Sequence, residues 1–165
     1  MGKFLIISCI TLLSVSGLLI SCNTSGCTEM RTSVPRADFY SAETEQKIII
    51  DSLEIVGIGA PNDSILYKSG ERLSSIYLPM PALIDKVEWR IGYMQKNLRE
   101  FDIADTIKMK YKRYPWFAGE ECGAMYKYKI TELSYTQNLI DSIGLVDSLV
   151  INVDEPTLNI YFRTE

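Results

Sequence analysis

The sequence predicts an all-β protein, an antiparallel β-sandwich of about seven to nine short strands, immunoglobulin-like in general architecture. Three observations lead there. Apolar and polar residues alternate with period two, most clearly in Thr106-Ile107-Lys108-Met109-Lys110-Tyr111-Lys112. Turn residues recur between such stretches. Past the apolar N-terminus, no segment carries a long 3.6-residue apolar stripe with helix caps.

In chain order, Ala37–Tyr40 and Ile48–Gly57 are the first candidate strands. Gly57-Ile58-Gly59-Ala60-Pro61-Asn62-Asp63 then reads as a turn, not as a nucleotide loop. Ser74–Leu78 and Lys86–Tyr93 follow. In Thr106–Lys112, Ile107, Met109 and Tyr111 face inward and the lysines form a solvated sheet face. The functional alternative for those lysines is an anionic headgroup or polysaccharide contact, extended by Arg113. In Met125–Ile130, Tyr126, Tyr128 and Ile130 share the inner face. Ile140–Val146 is next. Leu149–Val153 and Thr157–Arg163 flank Asp154-Glu155-Pro156, whose turn chemistry predicts a terminal hairpin.

The N-terminus reads as an address. Met1-Gly2-Lys3 is a short positive start, Phe4–Ile20 is apolar apart from small residues, and Ser21-Cys22 follows. Leu19-Ile20-Ser21-Cys22 looks like a bacterial lipobox, in which the Cys22 thiol is acylated and becomes the new N-terminus. The alternative is an uncut anchor, for which Phe4–Ile20 is at the short limit. The chain then divides into a signal peptide at 1–21, a lipidated tether at 22–35 and a single domain at 36–165. Such a mature domain is long enough to bury a normal core.

This division accounts for the four cysteines. Cys9 leaves with the leader and Cys22 carries lipid. Cys27 and Cys122 remain as an even pair in an exported chain, and a disulfide between them is expected. A buried thiol pair and intermolecular bonding are the alternatives. Neither cysteine sits in a Cys-x-x-Cys redox motif.

Composition narrows the chemistry. The 165 residues include no His, which excludes Ser-His-Asp and Cys-His catalysis and removes the commonest metal ligand. Ser-x-x-Lys, Gly-x-Ser-x-Gly and His-Glu-x-x-His are absent. Glu120 and Glu121 are adjacent and would point to opposite faces of a strand, and Asp102 and Asp105 flank a turn. No enzyme activity, cofactor or metal site is expected. The net charge of −4 argues against nucleic acid as a partner.

Two surface features remain. Tyr114-Pro115-Trp116-Phe117 sets three aromatics just before Cys122. Exposed, Tyr114, Trp116 and Phe117 would form a binding or sugar-stacking surface; otherwise Trp116 packs on the disulfide and core. The triplet Asp-(Ser/Thr)-aliphatic recurs five times, with hydroxyls at Ser52, Ser64, Thr106, Ser142 and Ser148. It looks like the O-glycosylation acceptor pattern of exported Bacteroidetes proteins. It also suits strand starts after turns.

Several segments together carry a family resemblance. They are the lipobox, Cys27, Val34-Pro35-Arg36-Ala37-Asp38-Phe39-Tyr40, Ile76-Tyr77-Leu78-Pro79, Phe117-Ala118-Gly119-Glu120-Glu121-Cys122-Gly123 and Leu158-Asn159-Ile160-Tyr161-Phe162. The chain resembles a family of Bacteroidetes envelope lipoproteins built on a domain of unknown function. The resemblance implies an envelope lipoprotein and no catalytic residue. The tether has one acid between Asn23 and Glu29, which points to the periplasmic face of the outer membrane. The expectation is an interaction or assembly module, membrane-held through its lipid. Its partner would be an envelope protein such as an outer-membrane β-barrel. A carbohydrate- or lipid-binding module using exposed aromatics is the alternative.

Overall fold

A computed structural model describes Cys27 and residues 32–164. The leader at 1–21 and the lipidation candidate Cys22 lie outside the described residues. The described chain is an all-β sandwich of ten strands in two sheets. The strands are β1 (Arg36–Ser41), β2 (Leu53–Ile58), β3 (Ile65–Tyr67), β4 (Ser75–Tyr77), β5 (Lys86–Tyr93), β6 (Ala104–Gly119), β7 (Gly123–Tyr135), β8 (Ile140–Leu145), β9 (Leu149–Val150) and β10 (Pro156–Phe162). One sheet runs β4-β1-β10-β8 and the other β3-β2-β5-β6-β7-β9. A single helical turn, α1 (Lys96–Arg99), links β5 to β6 and buries none of its residues.

Period-two alternation builds the core. Phe39, Leu158, Ile160 and Phe162 face inward from the four-stranded sheet, and Ile55, Trp89, Ile91, Ile107, Met109 and Tyr111 from the other. The Phe39 and Phe162 rings meet edge-to-face at 5.1 Å. On the outer side of β6, Lys108 lies 3.3 Å from Glu88 and Lys110 lies 2.8 Å from Glu132. These are cross-strand pairs on a wet face, each contributing little.

Three features depart from the expectation. The sandwich is not wholly antiparallel, because β1 and β10 pair in parallel. The first and last strands thus meet at the centre of one sheet, which period-two patterning has no means of encoding. The terminal hairpin does not form: β9 pairs with β7 in the six-stranded sheet, and β10 with β1 and β8 in the four-stranded one. Asp154-Glu155-Pro156 therefore crosses between sheets. There Asp154 accepts from Tyr77 at 2.9 Å and from Arg36 at 2.8 Å. Those two donors hold its carboxyl below the usual range. Finally, β7 is one strand with a bulge. Lys110 pairs with Glu132 and Tyr111 with Ile130, which leaves Thr131 as an extra residue. The bulge exchanges parity, so Ile130 and Tyr128 face inward before it and Leu133 and Tyr135 after it.

One buried carboxylate holds the two sheets in register. Asp105, 0% exposed, accepts from the backbone N–H groups of Asn138, Leu139 and Ile140 at 2.8–2.9 Å. It also accepts from the hydroxyls of Thr136 and Tyr93, each at 2.7 Å. Its role is thus not the local turn that its neighbourhood suggested. It anchors the connection from β7 to β8, more than thirty residues away. Asp102 does occupy the turn, at φ 47°, and pairs with Arg90. At the far end of the chain, Thr164 and Ser41 hydroxyls donate to Glu43 and hold its carboxyl down to about 2.

Candidate binding surface on the β6–β7 arm

The strands β6 and β7 outrun the sandwich. β5 pairs with β6 only as far as Lys110, and β9 meets β7 only at Tyr128 and Lys129. From Lys112↔Lys129 to Gly119↔Gly123 the two continue as an arm, flanked by β9 at its root and a bare two-stranded ribbon from Tyr114↔Lys127 on. The Tyr111 and Tyr128 rings, edge-to-face at 5.4 Å, mark where the core ends. Burial pushes the Tyr111 phenol up to about 12 and raises that of Tyr128, so both remain protonated at neutral pH. The Tyr111 hydroxyl donates to the Pro81 carbonyl at 2.8 Å, so the segment after β4 closes the core at the root of the arm. At the tip, Gly123 has φ +72°, a conformation that a side chain would strain.

The tip is fastened to the N-terminal segment. Cys27 and Cys122 form a disulfide, with Cα atoms 4.7 Å apart at a sequence separation of 95. The expected pairing is therefore present, and it joins the segment before β1 to the turn of the arm rather than to the core.

The arm has two faces. Arg113 opposite Tyr128, Pro115 opposite Tyr126 and Phe117 opposite Ala124 continue the inner face. No second sheet covers it there, so Phe117 is 63% exposed. Tyr126 shares the predicted face but is exposed, because that face has left the core. Lys112 opposite Lys129, Tyr114 opposite Lys127 and Trp116 opposite Met125 form the outer face. Trp116 is half-buried and is not among the residues packed on the core. The three aromatics Tyr114, Trp116 and Phe117 are thus gathered on one projection but divided between its faces. Phe117→Ser is expected to shift the free energy of unfolding by no more than about 0.5 kcal/mol, read from urea denaturation. A loss of about 2 kcal/mol would instead place Phe117 in packing.

Two open clefts flank the root of the arm. One, of 650 Å³, is lined by residues including Leu83, Ile84, Lys86, Glu88 and Arg113. The other, of 550 Å³, lies between Val34, Pro79, Met80, Met125, Tyr126 and Tyr128. Among the described residues, no group of three or more His, Cys, Asp or Glu could hold a metal ion.

The hydroxyls of the recurring triplet are scattered. Ser64 is exposed and donates to the Pro61 carbonyl at 2.8 Å. The Ser52 hydroxyl is enclosed, and Thr106, Ser142 and Ser148 are partly buried. The aspartates explain the recurrence better. Asp63 accepts from Gly59 N–H, Asp147 from Leu149 N–H, and Asp105 from three backbone N–H groups. Asp63 and Asp147 shape turns just before strands, the role expected of Asp in such positions.

Neither a curated protein nor a solved structure matches the chain. A family model matches residues 52–162, which run from the start of β2 to the end of β10 and include Cys122. With two-thirds of its length in that match, the chain belongs to the family of unknown function DUF6452.

Proposed function

We propose that this protein is an envelope lipoprotein that works by contact: a rigid β-sandwich held at the periplasmic face of the outer membrane by acylated Cys22. In this reading it is an interaction or assembly module, and the β6–β7 arm is its contact surface. The observation that carries the reading is the Cys27–Cys122 bond. It ties the tip of an exposed aromatic ribbon to a point five residues from the proposed lipid. A ribbon outside the core contributes little to folding, and exposed aromatics such as Tyr114 and Phe117 are common binding anchors.

A photo-crosslinkable residue placed at Phe117 in living cells tests the contact. One stoichiometric envelope protein, such as an outer-membrane barrel, is the expected product. Absence of any specific adduct would overturn the proposed surface. Intact mass of the mature chain tests the anchor separately: loss of residues 1–21 and gain of lipid on Cys22 are expected. The same spectrum reads O-glycan mass, for which Ser64 is the exposed acceptor.

A carbohydrate- or lipid-binding role is the second reading. The lysines beside Tyr114 and Trp116 on the outer face favour it.

A further inference from the structure

The outer face of the arm is unbalanced in charge. Lys112 stands directly opposite Lys129, and Lys127 follows one inter-strand step on, opposite Tyr114. Like charges facing each other across strands are destabilising. Further along the same sheet face, Lys108 and Lys110 each have a carboxylate partner. Among the described residues, Lys112, Lys127 and Lys129 form no ion pair. The carboxylates of the arm, Glu120 and Glu121, lie in its turn and not on this face. The basic cluster stands out in a chain whose net charge is −4. Toward the tip it gives way to Tyr114, Trp116 and Met125. Lysines behind a fringe of Trp and Tyr match the layering of a membrane interface, with cations at the phosphates and amphipathic rings just below.

The tether supplies the position. Cys27 lies five positions after Cys22, a reach of about 17 Å at full extension. The disulfide passes that limit to Cys122 at the tip. From Gly119 back to Lys112 the ribbon spans roughly 23 Å at strand rise. Every residue of the outer face is therefore held within a few nanometres of the anchor.

We propose that the outer face of the arm docks on the anionic phospholipid headgroups of the membrane that holds the lipid anchor. Lys112, Lys127 and Lys129 meet the phosphates, and Tyr114 and Trp116 enter the interface. The lipoprotein reading supplies the geometry of this proposal; the arm supplies its chemistry. Docked in this way, the domain has one fixed orientation on the bilayer instead of swinging on its tether.

The test uses the mature protein mixed with vesicles of phosphatidylethanolamine and phosphatidylglycerol that carry brominated acyl chains. Trp89 is 1% exposed in the core, so quenching reports Trp116. Quenching that disappears in Trp116→Phe is the expected result. Replacing Lys112, Lys127 and Lys129 together by Gln should lower the docking equilibrium constant about a hundredfold, since each basic side chain near an anionic surface contributes about fivefold. Near-UV circular dichroism confirms that the triple variant is folded. An unquenched Trp116 overturns the proposal, and so does quenching that survives the triple replacement. Intact mass reports the lipid independently, so an unlipidated chain would remove the anchor while the quenching still decides the arm.

Discussion

Asp105→Ala is expected to destabilise the protein by at least about 4 kcal/mol, a large part of the roughly 5–15 kcal/mol that an ordinary domain has. The cause is the number of donors left without a partner. Three backbone N–H groups and two hydroxyls converge on one buried carboxylate, and the methyl of alanine satisfies none of them. Tyr93→Phe removes one donor and keeps the ring, so it should cost about 1–2 kcal/mol. Asp105→Asn keeps the shape, but its amide turns a donor towards donors, and it should fall between the two. Urea unfolding of the three variants gives the order. A loss under about 1 kcal/mol in Asp105→Ala would show that water replaces the carboxylate there.

The same carboxylate sets an acid limit. Burial pushes the Asp105 carboxyl up, but the hydrogen bonds from Asn138, Ile140, Thr136 and Tyr93 outweigh it and the net shift is downward. Folding therefore favours the ionised form. The stabilisation is complete above the ordinary carboxylate range, about pH 4, and is lost as pH falls through the lower folded value. In Asp105→Asn the acid limb of the stability–pH curve should flatten. Tyr93 shifts the other way: burial first, then the Asp105 charge, raises its phenol far out of the physiological range. It remains protonated, and so a donor, at neutral pH.

Reduction of Cys27–Cys122 should cost about 4–5 kcal/mol on the chain-entropy account, because the bond closes a loop of nearly a hundred residues. The reduced chain is expected to keep its fold. Neither cysteine belongs to the core, whose residues all lie in the sandwich and its adjoining loops. The comparison is between oxidised protein and the Cys27→Ser, Cys122→Ser double variant, followed by circular dichroism and urea denaturation. A lower midpoint with unchanged near-UV spectrum is the expected pair of results. Loss of the near-UV signal would show that the bond holds the sandwich itself. Under the proposed function the two losses differ in kind: Asp105→Ala loosens the junction between the sheets, whereas the double variant frees the tip of the arm while leaving the sandwich whole.

The strands were legible because a half-buried sheet needs apolar residues at every second position. Ile107, Met109 and Tyr111 are all buried, as are Leu158, Ile160 and Phe162. Pairing was less legible. Leu149–Val150 and Pro156–Phe162 are adjacent in sequence with turn residues between, yet they belong to different sheets. Alternation specifies which face is buried and carries no label for the neighbouring strand. The role of Asp105 was hidden for a related reason. All five of its donors come from elsewhere in the chain, and a lone Asp beside a turn looks like a turn residue until they are in place.

The arm divides in the same way. Its aromatics, its lysines and the pairing of Cys27 with Cys122 could be read from residue types and count. That Tyr126 and Phe117 are exposed could not, because their alternation continues unbroken from buried strand into bare ribbon. Local pattern and parity were enough for the fold class, the strand faces and the cysteine partners. The strand order, the parallel meeting of β1 and β10, the anchoring role of Asp105 and the point where β6 and β7 leave the core emerge with the packed fold. Each of these depends on what lies across from a residue, and that is set by long-range packing.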